Sequence, residues 1–170
     1  PIVLQAIPKA KKQTHYPLSN AQRRLWVLGK MNDDLTAYNM PSALRLQGYL
    51  NTDILEQTLR ILFERHEILR TNFINVQGEG RQVIHEISTI EAFKIDIKTI
   101  SSDDIKSEKQ KHIAQVFDLE RDDLLQVSLL NIQEFDNEHI LLFNMHHIIT
   151  DGWSIGILIE EISQIYEELN

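Results

Sequence analysis

His146 and His147 stand side by side after the apolar run Ile140-Leu141-Leu142-Phe143, and Asp151, Gly152 and Ser154 follow within one short stretch. A neutral imidazole, with an ordinary pKa near ~6.5, can take a proton from a reacting group and return it. An Asp four residues later can orient such a ring, as triad acids do, or can serve as the buried partner of a cation. Gly152 permits a tight turn or a close substrate approach. Its N–H, if it opens a helix, can help hold a carbonyl or oxyanion. Ser154 is read as a helix cap, with substrate contact as the alternative. Adjacent strand residues face opposite sides, so His146 and His147 do not easily reach one ion, and no metal is expected here.

The elements that must place these residues follow from periodicity. His139–His147 is expected as a strand, apolar along most of its length and so covered on both faces. Its neighbour is a strand over Leu124–Ile132, joined to it through Glu134-Phe135-Asp136-Asn137. Trp153–Leu169 reads as a helix, with Ile155, Leu158, Ile159, Ile162, Ile165, Tyr166 and Leu169 toward the core and Glu160, Glu161, Glu167 and Glu168 toward water.

Further upstream, Ser19 caps a first helix that carries Ala21, Leu25 and Leu28 and fades near Gly29–Asn32. Asp33–Pro41 is expected as a loop and Ser42–Leu50 as a strand. A helix over Asp53–Leu69, capped by Asn51 or Thr52, carries the stripe Leu55, Leu59, Leu62, Phe63, His66 and Leu69. Thr71–Val76 and Gln82–Ile87 flank a Gly78-Glu79-Gly80 turn as a hairpin. Phe93–Ile100 alternates as a half-buried strand, and Ser102–Phe117 is a polar helix capped by Ser102. Trp26 and Trp153 are expected in the core. The resulting fold class is α/β or α+β, a mixed β-sheet covered by helices.

The chain has 170 residues, enough for one domain with a hydrophobic core. Its net charge of -8 argues against nucleic acid and against an anionic membrane surface. The apolar runs are too short to span a bilayer as helices. The absence of cysteine excludes disulfides and thiolate chemistry within these residues. Residues 1–16 read as a linker, with prolines and the cluster Lys9, Lys11 and Lys12, but no apolar core or small-residue cleavage site. A cytoplasmic location is therefore expected. Because the chain opens on Pro1, it is expected to be cut from something longer.

Three ordered motifs carry a resemblance over nearly the whole chain. Ser19 through Leu28 matches SxAQxRLWxL, Arg65 through Phe73 matches RHExLRTxF, and Met145 through Ser154 matches MHHxISDGWS with Thr150 in place of Ser. Tyr38-Asn39-Met40-Pro41 and Phe117-Asp118-Leu119 agree with the same pattern. The chain resembles the N-terminal lobe of a nonribosomal peptide synthetase condensation domain. The resemblance implies a chloramphenicol-acetyltransferase-like lobe spanning residues 17–170, with the C-terminal lobe absent. Asp151 through Leu158 further resembles domains that join an L-configured donor to an L-configured acceptor.

That family's reaction joins the α-amine of one carrier-bound substrate to the thioester of another. The resemblance implies His147 as the catalytic residue, acting as base, as positioner of the amine or as electrostatic stabiliser. His146, Asp151, Gly152 and Arg65 would support it, and family precedent pairs Asp151 with Arg65. The implied partners are peptidyl carrier protein domains on the donor and acceptor sides, the C-terminal lobe and a neighbouring adenylation domain. No cofactor is expected on this lobe, since 4'-phosphopantetheine arrives on the carriers. Two other readings stay open: a folded carrier-docking module without turnover, and a stand-alone coenzyme A-dependent acyltransferase.

Overall fold

A computed structural model describes residues 8, 10–31, 36–87 and 94–170. Among these residues, four helices and seven strands alternate along the chain: β1 (Tyr16–Pro17), α1 (Asn20–Met31), β2 (Asn39–Gln47), α2 (Thr52–Arg65), β3 (Thr71–Val76), β4 (Glu79–Ile84), β5 (Asp96–Ile100), α3 (Ile105–Ile113), β6 (Leu125–Ile132), β7 (Glu138–His146) and α4 (Gly152–Leu169). The strands form two sheets. The larger has the order β2-β7-β6-β5 and the smaller β1-β4-β3. β5 and β6 pair in parallel while the other pairs are antiparallel, so the larger sheet is mixed, as the element pattern predicts.

β7 lies between β2 and β6 and is buried from Leu141 through His146. Because strand side chains alternate, it feeds two apolar layers. Leu141, Phe143 and Met145 join the main core with Leu55, Leu59, Leu62 and Phe63 of α2 and Leu158, Ile162 and Ile165 of α4. Leu142 joins Leu130 and Ile132 on the other face, where Ile105 of α3 packs. A strand covered on both faces reads as a continuous apolar run, which is the pattern that the sequence shows at this position.

Several boundaries differ from expectation, each for a tertiary reason. β2 starts at Asn39 rather than Ser42, because it pairs with β7 from Asn39↔His146 to Gln47↔Glu138. Pro41, which suggested a loop, is tolerated because β2 is an edge strand. α2 stops at Arg65, where His66 turns extended at φ -106 and ψ 96. Residues Glu67–Arg70 continue as a 3-10 turn, held by Arg70 donating to the carbonyls of Phe63 (3.2 Å) and His85 (2.6 Å).

The hairpin turn is Gln77-Gly78, both at positive φ, rather than Gly78-Glu79-Gly80. Such a two-residue turn matches the strand twist. Gly80 lies within β4, where a Cβ would meet Leu18 Cδ1 at 2.6 Å and Trp26 Cδ2 at 2.9 Å. The polar helix is shorter than expected. Ser101, not Ser102, caps a leading 3-10 turn, and α3 ends at Ile113 so that Phe117 can turn into the core. The start of the strand expected from Phe93, and the end of the first helix at Asn32, lie outside the described residues. Tyr16, the last residue of the expected linker, pairs with Gln82. Trp26 is a core residue, but Trp153 is 82% exposed on the first turn of α4, contrary to expectation.

Candidate functional site

α1 begins with a reciprocal cap. The Ser19 hydroxyl accepts from Gln22 N–H at 3.2 Å, while the Gln22 side chain accepts from Ser19 N–H at 2.9 Å. This sets the helix so that Ala21, Gln22, Arg24, Leu25 and Leu28 line one wall of a groove of about 680 Å³. The opposite wall is Tyr38, Ile68 and the segment His147–Asp151, with Ser154. The groove is thus where the first and third sequence motifs meet.

His147 follows the last residue of β7 and is exposed. Its backbone N–H donates to the Tyr38 carbonyl at 2.8 Å. Its ring Nδ1 lies 2.6 Å from the Thr150 carbonyl. A carbonyl only accepts, so Nδ1 must carry the proton, which leaves Nε2 as the ring nitrogen that can act as a base. Both the main chain and the ring plane of His147 are therefore held before any substrate arrives.

His146 points the other way, as strand alternation predicts, and is buried. Its ring centroid lies 6.2 Å from that of Tyr38 and 6.4 Å from that of Phe117. Its Nδ1 accepts the Ile148 N–H at 3.1 Å. Burial, with the neighbouring His147 adding a smaller effect, pushes its pKa down to about 4. A ring held neutral and used as an acceptor orders the turn that follows it.

Asp151 is the N-cap of α4. Its Oδ1 accepts from Ser154 N–H at 2.8 Å and from the Ser154 hydroxyl at 2.7 Å. The Ser154 hydroxyl, then its N–H, hold the Asp151 carboxyl below the usual carboxylate range. Ser154 is therefore the partner of the cap and not the cap. The expected Asp151–Arg65 pair is not formed. Arg65 instead donates to Glu161 Oε1 at 2.9 Å, and His66 contacts the other oxygen of the same carboxylate. Burial works to raise the Glu161 carboxyl, but the hydrogen bonds from His66 and Arg65 outweigh it and hold it low. Glu161, expected in water, thus ties the end of α2 to α4. Gly152 opens α4, and a Cβ there would meet nothing within 4 Å, so packing within these residues does not demand glycine.

The structure brings His147, Asp151 and Ser154 to one groove and places Arg65 on a different junction. Sequence reasoning missed the Tyr38 and Thr150 carbonyls, because a backbone acceptor leaves no trace in residue type. It also missed Glu161 as the partner of Arg65. The signal available there was an acidic residue flanked by the core positions Leu158 and Ile162. Among the described residues no cluster of His, Cys, Asp and Glu could hold a metal ion, and no helix is long and apolar enough to cross a membrane.

Known proteins resemble this chain in sequence and in fold. A family model described as "Condensation domain" matches residues 12–170. Bacitracin synthase 2 of Bacillus licheniformis is 42% identical over 95% of this chain, which covers 6% of that protein. Tyrocidine synthase 3 of Brevibacillus parabrevis is 40% identical over 96% of the chain, covering 2% of that protein. The chain therefore spans a small fraction of the curated relatives it matches. Among solved structures, the X-domain from teicoplanin biosynthesis in complex with OxyB superposes with a TM-score of 0.83 at 28% identity, over 95% of this chain and 34% of that one. The starter condensation domain of the rhizomide synthetase, as a double mutant, gives 0.82 at 20% identity, over 92% of this chain and 38% of that one. The architecture is the chloramphenicol-acetyltransferase-like one that the motifs imply.

Proposed function

Since the chain belongs to the condensation-domain family of nonribosomal peptide synthetases, we propose that it is the donor-side lobe of a domain that forms a peptide bond between two carrier-bound substrates. One observation carries this reading: His147 stands on a groove wall with Nδ1 committed to a carbonyl 2.6 Å away, which leaves Nε2 as a proton acceptor.

The acceptor's α-amine, with an ordinary pKa of roughly 8, attacks the carbonyl carbon of the donor thioester. A C–N bond forms, the C–S bond breaks, and the peptide stays on the acceptor's carrier. The nitrogen of the adduct becomes strongly acidic on attack and must lose a proton. His147 Nε2 takes it and passes it to the departing thiolate of the donor's pantetheine arm. The oxyanion formed on the way is held by the Gly152 N–H at the start of α4, the Ser154 N–H being committed to Asp151. Asp151 and Ser154 hold that helix start in place, and His146 orders the turn between. Arg65 acts further off, by fixing α2 against α4 through Glu161.

The partners in this reading are donor and acceptor carrier domains bearing 4'-phosphopantetheine, the C-terminal lobe and an adenylation domain, in the cytoplasm. This lobe holds no cofactor of its own. The stretch Asp151 through Leu158 supports an L-configured donor and acceptor. The test mixes this chain with loaded donor and acceptor carriers, with and without the C-terminal lobe, and follows dipeptide by mass spectrometry. Product that needs both lobes and disappears in His147→Ala supports the reading. No product, with both lobes folded and associated, overturns it.

A second reading has one observation in its favour. The X-domain that this chain resembles was solved as a complex with OxyB. On that reading the chain is a docking module that binds a protein partner without turnover. Carrier binding that is equally tight in wild type and His147→Ala, with no product from either, is the outcome it requires.

A further inference from the structure

Asn39 opens β2 directly opposite His146, one residue after the carbonyl that receives the His147 N–H. Its side-chain amide donates both hydrogens to the C-terminal end of α3, to the carbonyls of Ile113 at 2.9 Å and Gln115 at 2.7 Å. The Ile113 carbonyl is one of the acceptors that a helix end leaves without an intrahelical partner, and the Gln115 carbonyl lies just past the C-cap Ala114. The amide can sit only one way. Turned over, its oxygen would face two carbonyl oxygens.

Asn144 of β7 repeats the arrangement on the same face of the sheet, donating to the His112 carbonyl at 2.8 Å. The two asparagines lie on adjacent strands and together grip one helix end. Among the described residues, each leaves its Oδ1 enclosed and without a hydrogen-bond partner. An enclosed idle acceptor is unfavourable, so what these positions contribute is donors. In Asn39 the grip has a direct line to the site: α3 carbonyls to Asn39, Asn39 to the adjoining Tyr38 carbonyl, and that carbonyl to the His147 main chain.

We infer that Asn39 is a positioning residue for His147, locking the strand end that carries the ring by tying the Tyr38 carbonyl to α3. The inference rests on the reading of His147 as the reactive group. With Asn39 removed, the start of β2 loses its anchor and the Tyr38 carbonyl drifts from the His147 N–H. The ring then no longer meets the Thr150 carbonyl in a single orientation, and the Nδ1–H tautomer ceases to dominate.

Two measurements judge it separately from that reading. The first is the imidazole 15N spectrum of the 170-residue chain, with His147 assigned by its loss in His147→Gln. Wild type should show a protonated Nδ1 and an unprotonated Nε2. Asn39→Ala and the isosteric Asn39→Asp should show mixed tautomers. Leu130→Ala, which weakens the core on the same face of the sheet, should not. Unchanged His147 signals in both Asn39 variants, or equal scrambling in Leu130→Ala, overturns the inference. The second measurement is condensation by the synthetase carrying this chain. The Asn39 variants should lower kcat by up to about 100-fold with KM for the loaded carriers held within about twofold. A loss confined to KM overturns the positioning role. Full activity in His147→Gln overturns the catalytic reading beneath it, whatever the tautomer spectrum shows.

Discussion

The Nδ1 of His147 lies 2.6 Å from the carbonyl oxygen of Thr150, three residues along the chain. The bond closes the turn between β7 and α4 on the imidazole itself. The same contact that shapes the turn selects the tautomer, so local backbone geometry and proton chemistry are one feature. Substituting His147 should therefore separate chemistry from folding. His147→Gln retains a donor for Thr150 but offers no base. Condensation is expected to fall by about 10²–10⁴-fold, while stability, for an exposed residue, moves within about 0.5 kcal/mol. A parallel loss in urea midpoint would show the effect to be structural.

His146 makes a pH prediction. Its folded pKa of about 4 lies below the ordinary ~6.5. Between those values the unfolded chain binds a proton that the folded one refuses. The penalty is absent above pH ~6.5 and grows as pH falls toward 4, reaching at most roughly 3 kcal/mol. Urea unfolding at pH 7 and pH 5 should show wild type losing more stability than His146→Leu. That variant has no titrating ring, and it starts less stable because the Ile148 N–H loses its acceptor. Equal losses in the two proteins would sink the assignment.

The partners of Asp151 and Arg65 predict an additive pair. Asp151→Ala removes the cap of α4 and should lower the melting temperature by a few degrees, whereas Asp151→Asn keeps the acceptor and most of the stability. Because the folded Asp151 carboxyl is held low, its contribution is present above the ordinary carboxylate pKa and fades as pH falls through the folded value. A double-mutant cycle of Asp151 with Arg65 should return no coupling. Arg65 with Glu161 should return about 0.2–1 kcal/mol, the range for a partly exposed ion pair. Strong coupling in the first cycle and none in the second would contradict the observed pairing.

Gly80 predicts a packing defect remote from the groove. A methyl there meets Leu18 and the Trp26 ring at distances that force one of them to move. Gly80→Ala should destabilise by about 1–3 kcal/mol, as overpacked cores do. Trp26 fluorescence should shift with it. An unchanged spectrum and midpoint would mean that α1 adjusts freely against β4.

The types of the longer elements, the doubly covered β7 and the opposed faces of His146 and His147 were legible in the sequence, because period-2 and period-3.6 patterns are local properties of the chain; the short β1, which starts in the expected linker, was not. So were the cap of α1 by Ser19 and the family motifs. What the tertiary structure alone decided was where elements stop and which side chains meet. β2 begins at Asn39 because β7 offers it partners that far, and α2 ends at Arg65 because His66 and Arg70 are engaged elsewhere. Arg65 found Glu161 instead of Asp151, and Trp153 faced outward while Trp26 went in. Each of these outcomes depends on residues distant in sequence. A hydrogen bond or ion pair between them is settled by the distance and orientation that packing imposes, and residue type does not encode those.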